Sequence, residues 1–371
     1  MKSNKLMSIV FGNTHDDLLK ELTERRAISS LPFGGRYRLI DFTLSNLVNA
    51  DVSRVAVVTK SNYQSLMDHL GSGKAWDLAR RNGGLCIMPP YSHAGAGLNA
   101  DKIQAIGSIR AFLEHSEEEY VIICDGDVVS NIDVKDMFAK HLENQADITI
   151  AYKHGAAPKG ENDILSFEIG ENGRILDAML AERYTECDFS LDFGIIRKDF
   201  LMELVDKAIA RGLSSIASDI IVRGCKELRM FGYKVTNYSA VIDGMHSYIK
   251  ANMDLLDSKV RSDLFVKKRP VLTKIRNEMP TKYGLNSHVS NSMIADGCII
   301  EGEVINSVLF RGVKIGKGSV VKDCVLMQAT EVGEDVSLSH VCSDKNVIIR
   351  DRRTLSGTDC YTVFLRKDST V

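Results

Sequence analysis

Short apolar runs alternate with amphipathic stretches along the first two thirds of the chain. Met7 to Phe11, Val55 to Val58, Cys86 to Met88 and Tyr120 to Cys124 are short continuous apolar runs, the pattern of strands buried on both faces. Between them, Ser61 to Leu70 and Asp101 to Leu113 repeat apolar residues at helical spacing, and Ile103, Ile106, Ile109 and Leu113 share one face. Asp16 and Asp17 suit a helix start, with Leu18, Leu19 and Leu22 as its apolar side. Asp133 to Leu142 reads as a helix and Ile148 to Tyr152 as a strand. This alternation predicts an α/β fold with a doubly wound, mostly parallel sheet covered on both faces. Leu165 to Ile169 and Gly173 to Leu176 flank an Asn-Gly turn and predict a hairpin. Asp192 to Ile196, a helix over Phe200 to Arg211, a strand over Met230 to Val235 and a closing helix over Ser247 to Leu256 complete the unit.

From about residue 286 the helical period disappears. Ile294-Ala-Asp-Gly-Cys-Ile, Ile300-Glu-Gly-Glu-Val-Ile, Ile315-Gly-Lys-Gly-Ser-Val and Val332-Gly-Glu-Asp-Val-Ser share one internal pattern. An aliphatic residue at every sixth position, followed by a small or turn residue, predicts the stacked coils of a parallel β-helix; a β-sandwich with chance spacing is the alternative. The expected organisation is therefore an α/β domain over 1–256, a basic linker over 257–285 containing Pro270 and Pro280, and a hexapeptide-repeat domain over 286–371.

A net charge of −2 provides no basic field for nucleic acid. The cysteines form no CxxC pair, and several, such as Cys124 in VIICDGD, lie in apolar runs where a reduced buried thiol is usual. The apolar run near the N-terminus is too short for a signal peptide or membrane span, so the expected location is the cytoplasm, with no membrane partner.

The densest stretch is Leu31 to Asn46, LPFGGRYRLIDFTLSN. Gly34 and Gly35 allow a tight turn, and Arg36 and Arg38 set two guanidinium groups beside it. Guanidinium holds phosphate through paired hydrogen bonds, so these four residues are candidate phosphate or effector contacts; a plain surface turn is the alternative. The stretch resembles the FGG-x-[YF]-R-x-IDF-x-LSN block of ADP-glucose pyrophosphorylases, the glucose-1-phosphate adenylyltransferases. Ala251 to Leu256 resembles the family's EANMDL helix, and the resemblance covers nearly the whole chain. It implies a Rossmann-like nucleotidyltransferase sheet followed by a left-handed β-helix.

The family's reaction is attack of glucose 1-phosphate on the α-phosphate of ATP, with pyrophosphate leaving. Such chemistry needs phosphate-binding backbone amides, fixed cations and Mg²⁺ on carboxylates. Active members carry GGxGxRL after the first strand and a KP pair before FGG. Here an ungapped match puts Asn13 and Thr14 at the paired glycines, Asp16 at the third, Leu18 at the arginine, and Ile28 and Ser29 at KP. Arg26 keeps a position that is basic in the family. Asp127 matches the family's metal-holding carboxylate, so Arg26 and Asp127 are relic catalytic positions and Asp127 the candidate metal ligand. Val241 falls at the second metal carboxylate, and Asp243 could replace it only with a two-residue shift. Leu176 to Glu182 lacks the lysine of EKP, Asp192-Phe-Gly-Ile replaces SMGI, and Gly97 to Asp101 keeps only part of GTADA.

These losses beside an intact framework resemble the GlgD-type regulatory subclass, as does Ser65 to Leu85, SLMDHLGSGKAWDLARRNGGL. The resemblance implies a catalytically impaired subunit in glycogen synthesis, working in a heterotetramer with a catalytic ADP-glucose pyrophosphorylase subunit. It implies no firm cofactor, with Mg²⁺ only if activity remains. It ties Arg36 to an activator site, and Arg38, Arg311 and Lys314 are further candidates for a phosphorylated-metabolite effector. Two alternatives stay open. One is an active adenylyltransferase using Arg26, Asp127 and Asp243; the other is a hexapeptide acyltransferase with His340.

Overall fold

A computed structural model describes residues 5–88, 102–157, 164–181 and 185–371. The N-terminal part is built on a nine-stranded sheet. Its parallel half runs Tyr120–Asp125, Leu6–Phe11, Arg54–Val58, Gly84–Met88, in that spatial order. These are the predicted apolar runs, and Met7, Ile9, Val10, Val55, Ala56 and Val57 are fully buried. The other half is mostly antiparallel, with Met230–Lys234 running parallel to Ile148–Ala156 at its side. Glu186–Arg197 lies beside Tyr120–Asp125 and also pairs Ile148–Ala156 and the predicted hairpin, Ile164–Ile169 with Ile175–Ala181. The sheet is thus mixed, because the middle of the chain returns through a long strand and not through a helix.

Two predicted helices differ in detail. Lys102–Ser108 and Arg110–Glu114 are separate helices that meet at Ile109, and the acidic start at Asp16 makes a 3-10 turn, Asp16–Leu19, before a short helix, Lys20–Thr23. Asp41 opens a helix, Leu39–Asn49, by accepting the Arg38 N–H at 3.0 Å.

The C-terminal part stacks three five-stranded parallel sheets, the left-handed β-helix expected from the hexapeptides. Ile300, Ile315, Val332 and Ile349 stand in register in one column, and each is at most 3% exposed. The first coil begins at Lys282–Tyr283, inside the expected linker, and that linker also holds a helix, Ser258–Leu264.

One apolar cluster joins the two parts. Ile28, Leu31 and Phe33 of the loop region pack with Tyr248 and Leu255 and with Phe310 and Met327 of the β-helix, all fully buried. Buried apolar side chains of this size contribute about 1.5–3 kcal/mol each, so this seam is a core and not a loose contact.

Candidate functional site

The loop after the first strand lies over the carboxyl ends of the parallel strands, where open α/β sheets bind ligands. Its own side chains close it. Asn13 is buried; its Oδ1 accepts the Lys60 N–H at 3.0 Å and its Nδ2 donates to the Ser61 carbonyl at 3.0 Å. The same Nδ2 donates to Asp16 Oδ2 at 2.5 Å, and Asp16 Oδ1 accepts the Ile28 backbone N–H at 2.7 Å. A backbone amide that a phosphate could use is therefore taken by an internal carboxylate. Burial pushes the Asp16 carboxyl up to about 6, against those two hydrogen bonds. Ile28 and Ser29, at the KP positions, are fully buried.

Below this loop, three carboxylates meet two cationic side chains. His15 Nδ1 lies 2.7 Å from Asp127 Oδ2, and Lys102 Nζ donates to Asp125 Oδ2 at 2.8 Å. Asp125 and Asp127 are 2% and 1% exposed, and the second oxygen of each has no hydrogen-bond partner. Asp192 joins them from a break in the ladder between Glu186–Arg197 and Ile148–Ala156, where the register shifts between Ser190 and Gly194. Such a bulge re-aims a side chain, and Asp192 takes φ +48° with its N–H on Ser190 Oγ. Burial opposes the His15 imidazolium, but Asp127, Asp125 and Asp192 prevail and raise its pKa to about 9. Burial raises the Asp125 and Asp192 carboxyls while Lys102 holds them down.

A cavity of about 540 Å³ opens beside the cluster. His15, Lys102, Asp192 and Asp243 line its polar end, and side chains such as Ile150 and Ile220 line its apolar end. The space has the size of a ligand pocket, and its lining mixes the carboxylates of Asp192 and Asp243 with the cationic side chains of His15, Lys60 and Lys102. Mg²⁺ in the family manner does not fit. His15 holds one oxygen of Asp127, and Val241 pairs Val128 in a ladder, Ser239–Val241 with Val128–Ser130, that carries no register shift. Asp243 lies past that ladder, with its N–H on Ser247 Oγ at 3.0 Å. Gly97 to Asp101 and Glu182 lie outside the described residues.

Arg26 is placed elsewhere. It is 4% exposed, and its Nη2 contacts both carboxylate oxygens of Asp344 in the β-helix, at 2.7 and 2.6 Å. The structure thus brings together Asp127, His15, Asp125, Asp192 and Lys102, and gives Arg26 to the seam between the domains.

The FGG turn is a buried joint. Gly34 and Gly35 have φ +54° and +77°, and the Gly34 N–H donates to Asn252 Oδ1 at 2.9 Å. A Cβ at Gly34 would lie 2.8 Å from Leu255 Cδ1, so the turn and the Ala251 to Leu256 block fit each other. Arg38 donates to the Ser65 carbonyl at 2.7 Å and to Ser65 Oγ at 2.9 Å. His69 Nε2 lies 2.5 Å from Asp41 Oδ1, and its ring meets Trp76 edge-on. The subclass-like stretch from Ser65 thereby grips the turn.

Arg36, Arg38, Lys274, Arg276 and Arg311 share a small recess with Gln328 between the domains. Arg311 is 7% exposed and its Nε has no partner; burial, then Arg276 and Arg36, lower its pKa. Burial, Arg38 and Arg26 push the nearby Lys345 ammonium down to about 7, against Asp344. Lys314 is outside this group, paired with Glu331 at 2.7 Å. His340 lies on the β-helix surface, 2.8 Å from an exposed Asp359 carboxylate.

Sequence reasoning missed Asp125, Lys102, Arg276, Lys345 and Asp344. Asp125 carried a signal, since a carboxylate closing a buried strand sits where such sheets bind ligands. All eight cysteines are free thiols, and no described helix is long and apolar enough to cross a membrane.

Comparison with known proteins agrees with this geometry. Residues 17–161 match the family profile described as Nucleotidyl transferase, and residues 278–361 match GlmU-like, C-terminal hexapeptide. The chain is 34% identical over 374 residues to the glycogen biosynthesis protein GlgD of Bacillus subtilis, covering 99% of this chain and 97% of that protein. It is 36% identical over 325 residues to GlgD of Geobacillus stearothermophilus, covering 86% and 83%. It is 33% identical over 329 residues to the glucose-1-phosphate adenylyltransferase of the same organism, again covering 86% and 83%. The chain belongs to the ADP-glucose pyrophosphorylase family, and within it resembles the GlgD glycogen biosynthesis proteins.

Proposed function

We propose that this chain is a regulatory, catalytically impaired subunit of glucose-1-phosphate adenylyltransferase in glycogen synthesis, acting by assembly with a catalytic subunit. The observation that carries the reading is the self-closed loop. Asp16 accepts the Ile28 amide and His15 lies on Asp127, so the chain's own groups engage an amide and one carboxylate oxygen that a triphosphate and a family-type Mg²⁺ would use. Removing a single charge-stabilising group from an active site can cost a hundredfold or more in rate. Here the phosphate-binding glycines are absent, a carboxylate is added, and Arg26 is engaged by Asp344. Names of the relatives support the glycogen-synthesis setting.

The recess of Arg36, Arg38, Arg276 and Arg311 supports a phosphorylated effector as the regulatory input. It lies on the same seam as the FGG turn, which touches both the Ala251 to Leu256 block and the β-helix. An effector there would act on the joint between the domains.

The test is ADP-glucose formation from ATP and glucose 1-phosphate, first with the isolated chain and then with a catalytic subunit added. Negligible turnover alone, and raised or effector-altered turnover in a co-eluting complex, is the expected result. Full turnover by the isolated chain, or absence of both complex and stimulation, would overturn the reading.

A further inference from the structure

The Asp125–Asp127 cluster contains more carboxylate than its own cations satisfy. Three carboxylates, from Asp125, Asp127 and Asp192, face His15 and Lys102. Buried charges are paired or coordinate metals, because an unpaired ion in a low-dielectric interior is costly. Lys102 occupies one oxygen of Asp125 and His15 one oxygen of Asp127. The other oxygen of each is buried and has no hydrogen-bond partner.

The arrangement of His15 is informative. Its Nδ1 is held by Asp127, and its Nε2 has no hydrogen-bond partner among the described residues. A carboxylate on one ring nitrogen, leaving the other free, is the arrangement that orients histidine ligands toward metals. One ligand atom each from His15, Asp125 and Asp192 lie within 4.8 Å of one another. Ligand atoms around a tetrahedral ion stand roughly 3.3 Å apart, so rotations of these side chains must draw the three atoms together.

We propose that His15, Asp125 and Asp192 form a binding site for a divalent transition-metal ion, with Asp127 orienting His15 from behind. One imidazole nitrogen with carboxylate oxygens suits Zn²⁺ or Mn²⁺ better than Mg²⁺, which prefers oxygen ligands and retains its water. A divalent ion together with Lys102, and His15 as a neutral ligand, balances the three carboxylates. Its ligands differ from the pair of positions matched to the family's metal, which here are Asp127 and Val241; Asp127 serves only to orient His15. The ion would tie the loop through His15 to two strands, Tyr120–Asp125 and Glu186–Arg197, at the mouth of the cavity. Its role is structural: it holds the closed loop on the sheet.

The test uses the full chain, stripped with a chelator and titrated separately with Zn²⁺ and Mg²⁺ by calorimetry and thermal unfolding. Saturable Zn²⁺ binding, tighter than Mg²⁺ and raising the melting temperature with concentration, is expected. Asp192→Asn should abolish it, and Asp127→Asn should weaken it by about 10–100-fold. Asn tolerates the positive φ at this position and removes one of three like charges, so the variant should fold, as circular dichroism can verify. His15→Asn gives a second, independent loss. Absence of saturable binding would overturn the proposal. So would binding that survives both Asp192→Asn and His15→Asn, or Mg²⁺ binding as tight as Zn²⁺ and lost in Asp243→Asn.

Discussion

At the carboxyl ends of the parallel strands, Asp125, Asp127 and Asp192 face two cationic side chains; between the domains, Arg36, Arg38, Lys274, Arg276 and Arg311 line a recess without a carboxylate among its lining residues. The first region lies where the family resemblance puts the nucleotide's phosphates, and its three carboxylates outnumber the two cationic side chains they face. The second retains and concentrates positive charge. Like charges about 4 Å apart repel by several kcal/mol at an intermediate dielectric; His15 and Lys102 offset that repulsion in the first group, and the recess has no such partner among its lining residues. The fold imposes both. The difference teaches that positive charge without a facing carboxylate gathers on the seam and not at the sheet.

The strongest way to break this contrast is at Arg26 and Asp344, the buried pair beside the recess. Arg26→Ala leaves the Asp344 carboxylate buried and unpaired, which should cost about 3–5 kcal/mol in urea unfolding. Replacing both partners by apolar residues of similar volume should cost much less. A small loss in Arg26→Ala would mean the pair is solvated and the seam is looser than described.

A smaller effect is expected at Lys345, whose folded-state pKa of about 7 lies below the ordinary 10.5. The folded protein then binds fewer protons than the unfolded one between those values, so stability rises with pH across that interval, and the full penalty is present below pH 7. Lys345→Met should therefore stabilise by about 2 kcal/mol at pH 6, allowing for screening at a partly exposed amine, and the gain should fade toward pH 10.5. A pH-independent gain would point to packing and not to crowded cations.

The smallest effect concerns the anion itself. Inorganic phosphate should bind the recess, and Arg311→Gln should weaken it roughly tenfold, about 1.4 kcal/mol. Bound phosphate also offsets the repulsion on Lys345, so binding near pH 8 should take up a proton. Calorimetry in buffers of different ionisation enthalpy reads this directly. Phosphate binding that is unaffected by Arg311→Gln would remove the recess from the regulatory reading.

Much of this was legible along the chain. The column of Ile300, Ile315 and Val332 follows from an aliphatic residue at every sixth position, because each coil repeats the same inward contact. The altered loop was legible as substitutions at Asn13, Thr14, Asp16 and Leu18. How it closes was not, since Asn13 reaches Ser61 and Asp16 reaches Ile28 only after the sheet has formed. The Arg26–Asp344 pair spans 318 positions, and no local pattern joins its members. Asp192 was legible as a replacement in the SMGI block, but the shift between Ser190 and Gly194 that brings it to the cavity has no marker in the alternation. The Ser65 to Leu85 stretch is legible as typical of a subclass; the grip of Ser65 on Arg38 and of His69 on Asp41 is not, because the two contacts join residues 27 and 28 positions apart.

The apolar seam of Ile28, Phe33, Tyr248, Leu255 and Phe310 has a consequence for how the protein can be handled and how it melts. Two architectures share one interior, so cutting between residues 257 and 285 would leave a sticky face on each fragment. The thermodynamic unit is the whole chain: α/β sheet and β-helix should unfold in a single cooperative step, and neither half is a module that can be borrowed alone.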